Sequence, residues 1–217
     1  MDIVKKYYLN ETQININKIT LKLYQTENLD KFFDNIYTKE LEEDGRIPYF
    51  VNIWQSGLKL IDYFINYFPQ EKITGSNFLE LGSGTGLSGI GLGLLGANIT
   101  FSDFERDSIL LCEENAKLNN IKNYKTLLAD WRNFPRLDEN FNYIIGSDLL
   151  YEERFVLPLA NTVEYLLQKG TKFIFSDPTR TYFLPFLELM EKKGFVWNIL
   201  KEYIDETTEI RIFEVYK

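Results

Sequence analysis

Leu79-Glu80-Leu81-Gly82-Ser83-Gly84-Thr85-Gly86 is the stretch that decides the fold. With Asn77-Phe78 before it, NFLELG reads as a short buried strand that ends in glycines. GLSGIGLGLLG behind it reads as a helix rich in small residues. Glycines permit a tight strand-to-helix turn and let a ligand come close to the backbone. A dinucleotide-binding turn carries G-x-G-x-x-G. Here the third glycine comes one place early, as G-x-G-x-G, which disfavours a dinucleotide oxidoreductase.

The same rhythm continues downstream. NITFSD is a second strand and ERDSILLCEENAKLNN an amphipathic helix. YKTLLAD and FNYIIGSD are a third and a fourth strand, and Leu157 to Gln168 reads as a helix. KFIFSD is a fifth strand, followed by a helix through Phe186 and Leu189. GFVWNILKEYI and TTEIRIFEVYK pair as a closing hairpin. Strands alternating with helices imply right-handed βαβ units and a mostly parallel sheet. Ligands on such sheets bind beyond the carboxyl ends of the strands, so the residues just after each strand carry the function.

Upstream the pattern differs. Ile14, Ile16 and Ile19 alternate with polar residues in QININKITLKLY, as a strand would. Residues 28–45 are charged and read as a loop with some helix. After Pro48, the spacing of Ile53, Leu58, Leu60, Ile61 and Phe64 suits a packed helix from about residue 53. The expected division is an N-terminal extension over residues 1–46 and one domain over 47–217.

Composition narrows the chemistry. The 217 residues include no histidine, one cysteine and a net charge of −8. That excludes a Ser-His-Asp triad, a Cys-His dyad, a His general base and a Cys-cluster zinc site. No metal site is expected. Bulk electrostatics disfavour a nucleic-acid partner. A hydrophobic share of 45% is enough for a real core. Cys112 lies among Leu110, Leu111 and Ala116, as a buried structural thiol does. No secretory leader or bilayer-spanning run stands out, so the expected setting is cytoplasmic, with no membrane partner.

The glycine motif, with its acidic residue two places ahead, resembles motif I of the class I S-adenosylmethionine-dependent methyltransferases. The resemblance implies a Rossmann-like α/β fold: a mostly parallel seven-stranded sheet flanked by helices, with a C-terminal antiparallel hairpin. It also implies S-adenosylmethionine as cofactor, with Glu80, Gly82, Ser83, Gly84 and Gly86 near its methionine half. Asp103 closes the second strand about 20 residues past the first glycine, where a carboxylate accepts ribose hydroxyls. Asp103 also suits a helix N-cap. Phe104 next to it is placed to cover the adenine. Asp130-Trp131, after the third strand, is where these enzymes often bind the adenine amino group and wall its pocket.

Ser147-Asp148-Leu149-Leu150-Tyr151, after the fourth strand, faces the transferable methyl group in that fold. It lacks the prolines of the Asn/Asp-Pro-Pro-aromatic motif of base and glutamine methylation. Asp-x-x-Tyr instead resembles a family of protein lysine methyltransferases, in a broad group that includes nicotinamide N-methyltransferase-like sequences. By that resemblance Asp148 and Tyr151 are the catalytic candidates, with Ser147 beside the cofactor. Ile47-Pro48-Tyr49-Phe50-Val51-Asn52-Ile53-Trp54-Gln55-Ser56-Gly57 is similar to the aromatic segment those enzymes carry before motif I. This puts Trp54 near the cofactor or acceptor, although it would serve equally as a core anchor. Asp177-Pro178-Thr179-Arg180 is similar to an Asp-Pro-Gly-Arg turn of one branch. Thr179 replaces its glycine, and the residues read best as a plain turn with an exposed Arg180.

The expected function is therefore N-methylation of lysine side chains in a protein substrate by a monomeric enzyme. A small-molecule N-methyltransferase of the nicotinamide type, or a cofactor-binding protein without catalysis, are the alternatives. The acidic run Glu40-Leu41-Glu42-Glu43-Asp44 is a solvated loop, or a collector for a basic partner.

Overall fold

The computed structural model describes residues 2–28, 32, 47–167, 170–207 and 209–217. The charged stretch read as loop with some helix lies, except for residues 28 and 32, outside them. So do the acidic run 40–44 and the expected boundary at residue 46.

A one-turn helix α1 (Ile3–Lys6) leads into a hairpin of β1 (Asn10–Ile16) and β2 (Ile19–Gln25). Ile16 pairs with Ile19, leaving Asn17-Lys18 as the turn, with Asn17 at φ +50°. The strand alternation shows in β2, whose Leu21 and Leu23 are fully buried. The helices that follow are α2 (Gln55–Asn66), α3 (Leu87–Leu94), α4 (Arg106–Leu118), α5 (Val156–Leu166) and α6 (Phe183–Lys192). Between them run β3 (Asn77–Leu81), β4 (Asn98–Asp103), β5 (Tyr124–Leu128), β6 (Tyr143–Ser147), β7 (Lys172–Asp177), β8 (Val196–Ile204) and β9 (Glu209–Tyr216).

β3 to β9 form one seven-stranded sheet in the order β5-β4-β3-β6-β7-β9-β8. The first five are parallel, and β9 runs antiparallel between β7 and β8. Strand order reverses between β3 and β6, which opens a crevice beyond their carboxyl ends. Alternation along each strand feeds two cores. Phe78, Ile99 and Phe101 pack on one face with Leu60, Ile61, Phe64 and Ile90 of α2 and α3. Leu79, Leu81, Ile144 and Phe173 pack on the other with Leu159, Val163 and Phe186 of α5 and α6.

The N-terminal hairpin belongs to the first of these cores, through Leu21 and Leu23. Asn115 on α4 ties it down. Its Oδ1 accepts from the Tyr24 N–H at 2.7 Å, and its Nδ2 donates to the Thr85 carbonyl at 2.9 Å. One buried amide thus joins the extension to the glycine loop.

Candidate functional site

Gly82, Gly84 and Gly86 all have positive φ, at +60°, +54° and +77°. Only glycine takes such angles without strain. A Cβ on Gly82 would stand 2.8 Å from Leu149 Cδ2 and 3.4 Å from Trp131 Cζ2. The loops after β3, β5 and β6 therefore meet at this glycine. Around Gly84 there is more room, since the backbone of Phe50 is 3.8 Å from where a Cβ would be.

Asp103 ends β4 with its side chain turned to the same loop. Its Oδ2 accepts from the Gly84 N–H at 3.0 Å and from Ser108 Oγ at 2.8 Å, and its Oδ1 accepts from the Glu105 N–H at 2.9 Å. Burial holds this carboxyl above its usual range. Oδ1 takes one of these bonds and Oδ2 two, and the nearby Phe104 N–H also favours the ionised form. The N-cap expected at Asp103 falls instead on Glu105, and Asp103 Oδ1 accepts from the N–H of that residue.

Phe104 is exposed, as a ring that covers a ligand must be. Trp131 packs edge-on against Phe155 at 5.7 Å between centroids. Phe155 meets Tyr151 at 5.0 Å, Tyr151 meets Tyr49 at 6.0 Å, and Tyr49 meets Trp54 at 6.2 Å. Five aromatic rings thus form an arc over the carboxyl ends of the central strands. Trp54 sits at the N-cap position of α2, half-buried, with its indole N–H donating to the Tyr49 carbonyl. Burial raises the Tyr151 phenol well above its ordinary value, so it stays neutral. Asp130 lies beside Trp131, but both its oxygens accept from Arg132, which lowers its pKa.

Asp148 follows β6 at φ +58°. Its Oδ1 accepts from Arg180 Nε at 2.7 Å and its Oδ2 from Ser56 Oγ at 3.4 Å. Ser147 faces Gly57 of α2, whose added Cβ would be 3.3 Å from its Oγ. Behind the pair, Asp177 is fully buried and accepts from the Arg180 N–H at 2.9 Å. Burial pushes Asp177 up to about 7. Beside Tyr151 an open groove of about 460 Å³ is lined by Tyr151, Glu152, Glu153, Arg154 and Tyr182.

Three further expectations need correction. Arg180 is exposed as expected, but it is paired with Asp148 and the turn is not a plain one. Thr179 takes φ +56° despite its branched side chain, and this aims the guanidinium at Asp148. Glu80 points into the protein because it shares the face of β3 with Phe78; its Oε2 accepts from the Gly89 N–H at 3.1 Å. The Ser83 hydroxyl is engaged with the Glu80 and Ser102 backbone. Glu80 and Ser83 therefore shape the loop and do not present side chains to a ligand. Cys112 is buried as expected.

Sequence reasoning missed Ser56, Tyr49 and Phe155. Phe155 lies four residues past Tyr151, and that spacing was its only local signal. The remaining features fit S-adenosylmethionine. The loop leaves room at Gly84, Asp103 turns its carboxyl to that loop, Phe104 is exposed next to Asp103, and Trp131 stands beside Gly82. Among the described residues no group of His, Cys, Asp and Glu is arranged to hold a metal.

A family model described as lysine methyltransferase matches residues 36–193. The protein-lysine methyltransferase METTL21E of Mus musculus is 30% identical over 139 residues, which is 59% of this chain and 56% of that protein. The histidine protein methyltransferase 1 homolog of Dictyostelium discoideum is 33% identical over 154 residues, 66% of this chain and 48% of that one. The matches thus span about half the length of these relatives. Among solved structures, the 16S rRNA methyltransferase RsmC of T. Thermophilus, in complex with AdoMet and guanosine, superposes with a TM-score of 0.68 at 15% identity. It covers 96% of this chain and 50% of that one, a likeness of fold.

Proposed function

This chain belongs to the lysine methyltransferase family, and on that premise we propose that it transfers a methyl group from S-adenosylmethionine to a lysine side chain of a protein. The observation that carries the reading is Asp148 just past the end of β6, with Tyr151 three residues on lining an open groove. Small-molecule sites are typically concave and enclose most of their ligand. An open groove edged by Glu152 and Glu153 instead suits a lysine-bearing segment. The overall charge of −8 steers a basic partner in the same sense. No helix among the described residues is long and apolar enough to cross a membrane. We place the enzyme in the cytoplasm as a monomer.

Bound at the crevice, the cofactor supplies a methyl group already activated by a sulfonium. The chain has to hold that group and align the acceptor. Backbone at Gly82, Gly84 and Gly86 would hold the methionine half, Asp103 would accept a ribose hydroxyl, and Phe104 and Trp131 would contact the adenine. Asp130 reaches the adenine amino group only if its grip on Arg132 is shared. Asp148 orients the acceptor nitrogen. Tyr151, Tyr49 and Trp54 line the approach to that nitrogen and exclude water. The acceptor proton leaves to water, which suits a chain without histidine.

The test adds labelled S-adenosylmethionine and the purified chain to a host lysate, then separates proteins from small molecules. Label on one protein band, at lysine, is expected. Label confined to the small-molecule fraction would overturn the reading in favour of the nicotinamide type. Asp148→Ala is expected to lower transfer by at least ~100-fold while S-adenosylhomocysteine still binds. Full activity in that variant would remove Asp148 from its role.

A further inference from the structure

A cation already stands where an acceptor amine would meet Asp148. The Arg180 guanidinium holds Oδ1 at 2.7 Å, while Ser56 donates to Oδ2 at 3.4 Å. The Asp148 side chain is 9% exposed and that of Arg180 39%, so the pair lies at the floor of the site and not in the core. The turn is built to present this arginine. Thr179 is left-handed, the Arg180 N–H is fixed to Asp177 Oδ1, and Asp177 Oδ2 is buried without a hydrogen-bond partner. A strained non-glycine residue and an orphaned buried oxygen both cost stability, and such costs cluster at functional sites.

The charged groups facing Asp148 are few. From the turn after β7 come Arg180 and Asp177. On its own loop stands the Tyr151 phenol, which feels the charges of Asp103, Glu152 and Arg154. From α2 comes the uncharged Ser56 hydroxyl. Arg180 and Asp148 carry opposite charges 2.7 Å apart, so the pair is close to neutral as a unit.

A lone carboxylate would hold a lysine amine in its ammonium form, which has no lone pair with which to attack. We propose that Arg180 is a positioning residue that keeps Asp148 charge-compensated, so that the site receives the acceptor nitrogen as a neutral amine and orients it by a hydrogen bond. The ammonium gives its proton to water before entry. The nitrogen lone pair then forms the N–C bond, and the electron pair of the broken C–S bond stays on sulfur. The product leaves this step as a methylammonium beside the aromatic arc. The proposal rests on the reading of Asp148 as the group that orients the acceptor.

The test uses n-butylammonium as a lysine side-chain probe and 1-butanol as its neutral counterpart. Both are titrated by NMR at about pH 7 into the full chain saturated with S-adenosylhomocysteine. Wild type is expected to bind 1-butanol at least as tightly as n-butylammonium. Arg180→Gln is expected to bind n-butylammonium about tenfold more tightly than wild type, one unit of proton affinity expressed as binding. The double variant Arg180→Gln/Asp148→Asn should lose that gain. A preference of wild type for the cation overturns the proposal, and this arm needs no variant to fold. So does an Arg180→Gln protein that retains S-adenosylhomocysteine affinity but gains nothing for n-butylammonium. A purely structural role for Arg180 would not tighten cation binding. Failure of Asp148→Ala to lose transfer strikes the reading of Asp148 itself, whereas the titration strikes only Arg180.

Discussion

Replacing Glu80 by glutamine should remove one identifiable part of the pH dependence of stability. Glu80 is 2% exposed, and its carboxyl accepts from the Gly89 N–H under the start of α3. Burial, opposed in part by that bond, moves its pKa from 4.5 to about 8. In the unfolded chain the group ionises near 4.5, whereas in the fold it keeps its proton until about 8. The folded state therefore binds about one more proton between those values. The stability this confers is complete below the unfolded pKa and is lost as pH rises through the folded one. Each pH unit in that window removes about 1.4 kcal/mol. Going from about pH 5.5 to about pH 7.5 should then cost wild type on the order of 2.5 kcal/mol through Glu80 alone. That is a large share of the ~5–15 kcal/mol of a typical domain. Glu80→Gln has nearly the same shape and does not titrate. Urea unfolding of both proteins across the range gives the difference, in which contributions of Asp103 and Asp177 cancel. The gap should move by about 2.5 kcal/mol in favour of the glutamine variant as pH rises. A constant gap, or one that moves toward wild type, would refute an inward, protonated Glu80.

Three further outcomes follow from the same geometry. Asn115→Ala strands the Tyr24 N–H and the Thr85 carbonyl; at ~1–3 kcal/mol per buried orphan it should lower stability by about 2–6 kcal/mol, read as a fall in Tm of about 4–24 °C. Gly82→Ala meets both its left-handed φ and Leu149 Cδ2 at 2.8 Å, so S-adenosylhomocysteine affinity measured by calorimetry should drop at least ~10-fold, the loop backbone alone being strained by ~1–2 kcal/mol. Trp131→Ala removes the ring that packs on Phe155 and stands beside Gly82. It should weaken the same affinity by about tenfold, in line with ~1–3 kcal/mol for a ring stacked on a base.

The βαβ core was readable because its signals are local. β4 and β7 coincide with NITFSD and KFIFSD, and the closing hairpin lies where its two apolar runs were. A strand of a parallel sheet, covered on both faces, is mostly apolar, and glycine is the residue that takes a left-handed turn without strain. The inward turn of Glu80 was readable in principle, since it shares the strand face of Phe78. The functional expectation instead gave it to the ligand.

Composition and motif, then, sufficed for the class of fold, the glycine loop and the exclusion of histidine chemistry, because each depends on residue type and short spacing. The Asp148–Arg180 pair is different. It joins residues 32 apart, and they meet only because β6 and β7 are neighbours and Thr179 bends the intervening turn. The aromatic arc likewise gathers rings from before α2 and after β5 and β6. Strand order and turn handedness decide which side chains share the crevice. Those are properties of the packed sheet, where a single pairing brings distant positions to hydrogen-bond distance.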